Sequence, residues 1–170
     1  MSGLEQLLAD SCGKINIELS DFQIKQFMDY KDMLLEWNEK MNLTAITDER
    51  EIILKHFADC LIINSLIDMK DKNVIDVGTG AGFPGVPVKI AEPSVKMTLL
   101  DSLNKRISFL TELTEKLGLK NVNCLHMRAE DGGNDKSMRE SFDMCVSRCI
   151  VRVLPAFCQA GRIFYIHERP

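Results

Sequence analysis

A chain of 170 residues with 45% apolar and 27% charged residues has the composition of a globular domain with one core. Its formal charge of −4 argues against a protein that coats nucleic acid over its whole surface, and no apolar run approaches the ~20 residues of a membrane helix. Met1-Ser2-Gly3-Leu4-Glu5 lacks the basic and apolar regions of a secretory signal. Six cysteines, at 12, 60, 124, 145, 149 and 158, form no Cys-x-x-Cys pair, so free thiols in a reducing cytoplasm are expected. His56, His126 and His167 do not flank cysteines at ligand spacing, and no metal is expected. Charge is uneven: from Met144 onward there are four arginines and one acid, which leaves room for a local basic face.

In chain order, Ser20-Asp21-Phe22-Gln23 reads as a capping box, followed by Phe27, Met33, Leu34 and Trp37 at the spacing of one helical face. Asn42 to Thr44 interrupts this helix. Thr47 is the expected cap of a second, with acids in its first turn and an apolar stripe of Ile52, Ile53, Phe57, Leu61, Ile62 and Leu66. The pattern then changes to alternating strands and helices. Strands are expected over 73–77, 96–101, 121–126, 142–147 and 161–166, and helices over 84–91 and 105–117, the latter stopped by Gly118. Gly132-Gly133-Asn134-Asp135-Lys136 reads as a surface loop. Such alternation implies a parallel sheet with right-handed crossovers. The chain therefore reads as an α/β protein with a helical N-terminal region over 1–70, packed on a sheet-bearing core over 71–170.

Ligands of open parallel sheets bind beyond the carboxyl ends of the strands. Three features gather there. Val74-Ile75-Asp76-Val77-Gly78-Thr79-Gly80-Ala81-Gly82 runs an apolar strand into a turn with glycine at alternate positions, where a cofactor can lie against bare backbone. Asp101 ends the second strand, 19 residues after Gly82, where it can accept from ribose hydroxyls. Arg128-Ala129-Glu130-Asp131 follows the third strand and can meet an adenine amino group. A nicotinamide dinucleotide would want a third glycine at position 83, which is Phe. Asp76 would repel a phosphate but suits a cationic amino-acid group. S-adenosylmethionine is thus favoured over the dinucleotide, which stays as the alternative.

These residues resemble the bacterial 16S ribosomal RNA guanine-N7 methyltransferases, the glucose-inhibited division protein B family, over roughly residues 20–148. The resemblance is carried by Trp37-Asn38 with Asn42-Leu43-Thr44, and by His56-Phe57-x-Asp59. It continues through Asp76-Val77-Gly78-Thr79-Gly80-Ala81-Gly82-Phe83-Pro84-Gly85 and Leu100-Asp101-Ser102-x-x-Lys105-Arg106. It closes with Arg128-Ala129-Glu130, Phe142-Asp143 and Val146-Ser147-Arg148. It implies a Rossmann-like methyltransferase sheet behind N-terminal helices, S-adenosylmethionine as donor, and N7 of a guanine in the 530 loop of 16S rRNA as acceptor, with 16S rRNA or the small ribosomal subunit as partner. By position it implies that Gly78, Gly80 and Gly82 line the donor. Asp101 would face its ribose, Ala129 and Glu130 its adenine, and Phe83 and Pro84 its methionine end. Arg148 would lie near both donor and incoming base as the catalytic residue.

N7 of guanine carries a lone pair and no proton, so the chemistry asks for positioning and dryness rather than a general base. RNA phosphates ask for cations. Lys105, Arg106 and Arg128 are the expected contacts, with Lys55, Arg148 and Arg152 as further candidates; His56 reads as a packed, hydrogen-bonded residue, and Asn42 is ambiguous between shaping the interhelical turn and meeting substrate. From Cys149 onward the chain departs from the family's pattern as read here. Missing C-terminal strands, an uncovered sheet edge open to self-association, and a catalytically impaired donor- or RNA-binding module as the alternative function follow as expectations.

Overall fold

The computed structural model describes residues 1–148, 154–158 and 163–165. Among the described residues, five parallel strands, β1 (Asn73–Val77), β2 (Lys96–Asp101), β3 (Val122–His126), β4 (Met144–Ser147) and β5 (Ile163–Tyr165), lie in the order β3-β2-β1-β4-β5. A parallel sheet is covered on both faces, which is why Val74, Ile75, Asp76 and Val77 are all buried rather than alternating. The chain winds from β1 toward β3 on one side and toward β5 on the other. The order reverses between β1 and β4, and this opens a crevice at their carboxyl ends.

The third strand starts one residue later than the sequence suggests, because Asn121 sits in the left-handed region at φ 57°. The fourth starts at Met144; Phe142 makes only an isolated bridge to Cys158. The fifth is seen over Ile163–Tyr165, and the flanking positions 161, 162 and 166 lie outside the described residues, as does Arg152.

The helical N-terminal region holds a helix ahead of the two expected ones. Helix α1 (Gly3–Gly13) starts from a capping box of Ser2 and Glu5 that the sequence reading passed over. Helix α2 (Asp21–Met41) uses the expected Ser20–Gln23 box, and the Gln23 amide also donates to Ile90 O and Ala91 O at 2.8 and 3.1 Å. Asn42 ends α2 in the left-handed conformation at φ 49°, the turn-forming role its residue type suggests. The next helix is capped by Asp48, not Thr47: Asp48 Oδ1 accepts from Glu51 N–H at 2.9 Å. It runs as α3 (Glu49–Glu51), widens into a π-helical stretch (Ile52–Ala58), and resumes as α4 (Asp59–Leu66).

Helices α5 (Gly85–Ala91), α6 (Asn104–Lys116) and α7 (Ala129–Asn134) connect the strands. The stretch 132–136 is not wholly a surface loop. Gly132 and Gly133 are buried in α7, where a Cβ on Gly132 would come within 3.0 Å of the Phe157 ring.

One apolar cluster joins Leu8, Phe27 and Phe57 of the N-terminal helices to Val86, Leu99 and Leu110 of the α/β unit. Each such side chain contributes about 1.5–3 kcal/mol when fully buried. A second cluster, with Ile75, Leu100, Cys145 and Phe157, covers the opposite face of the sheet. Among the described residues no helix is long and apolar enough to cross a membrane.

Candidate active site

The turn after β1 is built by three glycines with φ of 70° at Gly78, 61° at Gly80 and 100° at Gly82, a conformation that costs other L-residues about 1–2 kcal/mol each. The amides of Gly78 and Thr79 both donate to Leu100 O, at 2.8 and 3.1 Å, which pins the turn to the end of β2. The three glycines then divide by surroundings. A Cβ at Gly78 or Gly80 would meet nothing within 4 Å, so both border open space. A Cβ at Gly82 would meet Tyr30 Oη and Val86 Cγ2 at 2.8 Å and Leu110 Cδ2 at 3.0 Å, so Gly82 answers to packing inside the fold. Gly85, outside the alternating set, is crowded likewise by Leu99 Cδ2 at 2.5 Å and Asp76 Oδ2 at 2.8 Å.

Asp101 is 3% exposed and anchors the open side of the turn. Its Oδ2 accepts from Gly80 N–H and its Oδ1 from Leu103 N–H, both at 2.9 Å, while Arg106 Nη1 stands 3.4 Å from Oδ2. The sequence-predicted cofactor acid and RNA-contacting arginine therefore touch each other. Lys105 and Arg128 are exposed on the same edge, in the first turn of α6 and at the cap of α7. Ala129 is half-buried and Glu130 exposed, in the first turn of α7. Lys55 is exposed and pairs with Glu51 at 2.8 Å.

Beneath the turn, Asp76 is wholly buried. Its Oδ2 accepts from Thr79 Oγ1–H at 2.7 Å and Gly85 N–H at 2.8 Å. Its Oδ1 has no hydrogen-bond partner among the described residues. Burial pushes the carboxyl up to about 7, opposed by the two hydrogen bonds to Oδ2 and by the charge of Arg148.

Past β4, Arg148 is held from three sides. Nη1 lies 3.0 Å from His56 Nδ1, Nη2 donates to Lys55 O at 3.3 Å, and Nη2 is 3.8 Å from Asp59 Oδ2. The Lys55 carbonyl lies in the π-helical stretch, at whose end Asp59 N–H donates to His56 O. The guanidinium carbon lies 5.7 Å from the centre of the Phe83 ring. Phe83 stacks on His56 at 4.5 Å and on Tyr30 at 5.5 Å, and the Tyr30 hydroxyl donates to Ala81 O at 2.5 Å. Burial pushes that hydroxyl well above its ordinary range, so it stays a donor. Tyr30 and Asp59 were not legible as partners of this site, because their contacts cross from the helical region to the sheet unit.

A glycine turn at the switch point of a parallel sheet, with an acid at the end of the next strand, defines a Rossmann-like α/β domain. Among solved structures, TYW2 of Pyrococcus horikoshii in complex with MeSAdo superposes with a TM-score of 0.52 at 15% identity, covering 66% of this chain and 42% of that one. A protein of the same organism described as a transferase gives 0.51 at 16% identity, covering 62% and 43%. The family model for rRNA small subunit methyltransferase G, GidB, matches residues 23–160, and the chain belongs to that family. Ribosomal RNA small subunit methyltransferase G of Clostridium perfringens (strain 13) is 52% identical over 155 residues, covering 89% of this chain and 65% of that protein. The protein of that name from Alkaliphilus metalliredigens is 49% identical, covering 98% of this chain and 72% of its own length. The chain thus spans 65% of the length of the Clostridium protein, and the family match runs past Arg148, where the resemblance read from the sequence stopped.

Proposed function

We propose that this chain transfers a methyl group from S-adenosylmethionine to N7 of a guanine in the 530 loop of 16S rRNA. The observation that carries this reading is the turn itself: Gly78 and Gly80 border open space, with Asp101 on one side and a buried, half-satisfied Asp76 beneath. These residues fit the donor. The spare Asp76 oxygen suits a cationic amino-acid group and disfavours the pyrophosphate of a dinucleotide.

Bound there, S-adenosylmethionine supplies an electrophilic sulfonium methyl group. Gly78 and Gly80 offer it bare backbone, and Gly82 keeps the turn closed against α2. Asp101 accepts from the ribose hydroxyls, Ala129 and Glu130 border the adenine, and Phe83 walls the methionine end. Arg148 would lie near both the donor and the incoming base. Because the acceptor nitrogen bears no proton, none of these residues has to act as a base; they align donor and acceptor and keep water out. Lys105, Arg106 and Arg128 hold RNA phosphates along the carboxyl edge of the sheet.

Incubation with methyl-labelled donor and undermethylated small ribosomal subunits tests this. Label at one guanine N7 of 16S rRNA is expected. Donor binding with no label in RNA would favour a donor-binding module without turnover, and label on another base would refute the acceptor assignment.

A further inference from the structure

The contacts of His56 fix its protonation. Its Nδ1 lies 3.0 Å from Arg148 Nη1, and a guanidinium has only donors, so Nδ1 is the bare acceptor. The ring proton therefore sits on Nε2 and is donated to Thr44 Oγ1 at 2.9 Å, an oxygen that also accepts from Ile46 N–H at 3.1 Å. The imidazole is neutral and of one tautomer. It is also 4% exposed and stacked on Phe83, the same ring that Arg148 covers.

We propose that His56 is a positioning residue: in its neutral, Nε2–H form it holds the Arg148 guanidinium over Phe83 at the carboxyl edge of the sheet. Only the use made of Arg148 rests on the methyl-transfer reading; the arrangement stands without it. A second proton, on Nδ1, would set donor against donor and cation against cation at 3.0 Å, so protonation of His56 releases Arg148. Among the described residues, the other charged and titratable groups around the pair include Asp59 on α4, Lys55 in the π-helical stretch, Asp76 on β1 and Tyr30 on α2, with Cys60 of α4 acting on Tyr30. Asp59 and Asp76 favour the arginine's charge.

Two substitutions separate positioning from packing. Asparagine carries its side-chain oxygen close to where His56 has Nδ1, whereas the polar end of glutamine reaches the Nε2 position; both lose the ring against Phe83. His56→Asn is expected to keep methyl transfer within about threefold of the parent, whereas His56→Gln lowers kcat about tenfold or more with little change in donor KM, as loss of a hydrogen bond to a charged group implies. The parent's activity is expected to fall at acid pH as His56 protonates, and His56→Asn to lose that dependence. Equal losses from Asn and Gln would overturn the proposal, since a packing role predicts them. Long-range proton–nitrogen NMR of the free protein gives a readout independent of turnover. A protonated Nε2 and a bare Nδ1 on His56 at neutral pH are expected, and the opposite tautomer or a doubly protonated ring would overturn the proposal. A parent chain that neither binds donor nor methylates RNA defeats the functional reading, while the NMR measurement still decides this one.

Discussion

Asp76 shows how one residue couples the fold to the site. Its folded-state value of about 7 lies above the ordinary 3.8, so the folded chain holds a proton that the unfolded chain has lost between those values. The stability this group contributes is complete below pH 3.8 and is lost as pH rises through about 7, up to ~4 kcal/mol over the whole window. Asp76→Asn is expected to flatten that part of the profile: melting temperatures at pH 5 and pH 8 should differ less in the variant than in the parent. Equal differences would show that Asp76 is ionised throughout. Asp101 acts at the rim instead, where its oxygens already tie down Gly80 and Leu103. Asp101→Ala is expected to weaken S-adenosylmethionine binding by about 1–3 kcal/mol in calorimetric titration, through lost charge-assisted hydrogen bonds and a loosened turn. Unchanged affinity would remove Asp101 from the ribose role. The positions of both acids were legible in the sequence, because each is set by its place at a strand end. The part His56 plays was not. Its decisive partner, Arg148, is 92 residues away, and a lone histidine on a helix carries no mark of such a contact.

At the scale of elements, local chemistry told most where a turn or cap is self-contained. The Ser20–Gln23 box, Asn42 at the end of α2 and Gly118 after α6 all act as their residue types suggest. Two features escaped because tertiary packing decides them. The π-helical widening keeps the apolar stripe of Ile52, Ile53 and Phe57 buried, so the hydrophobic period alone could not reveal it. The pair Gly132-Gly133 resembles a flexible loop, yet here glycine is needed so that α7 can approach Phe157. The glycine turn makes the same distinction testable. Gly82→Ala forces a Cβ against Tyr30 and Val86, and is expected to cost about 1–3 kcal/mol of stability from crowding, with a further ~1 kcal/mol from its positive φ. Denaturant unfolding would measure this, and a variant as stable as the parent would show that the interior around Tyr30 yields.

Across the whole molecule, a net charge of −4 coexists with a basic edge formed by Lys105, Arg106 and Arg128. If that edge meets RNA phosphates, Lys105→Ala should weaken RNA binding at every sequence alike and reduce the slope of affinity against salt by about one counterion. Donor affinity should be unaffected, because Lys105 is exposed, and the neighbouring Asp101 is what bonds to the turn. An unchanged salt slope would move the RNA path elsewhere. The parallel sheet and its binding edge at the carboxyl ends of the strands were legible in the alternation of strand and helix patterns, whereas the strand order β3-β2-β1-β4-β5 and helix α1 were not. The core shared between the two regions was not, since Phe27 and Phe57 meet Phe83 and Val86 only once the chain has folded.

The open side of the glycine turn is the place where an adenosyl sulfonium compound should bind. Calorimetric titration of the parent and of Gly80→Val with S-adenosylmethionine, with NAD run alongside, decides this most directly. Saturable binding of the methyl donor alone by the parent, and none by a variant whose circular dichroism still reports a folded chain, is the expected result. NAD binding in place of the methyl donor, or donor binding that survives a branched side chain at position 80, would contradict it.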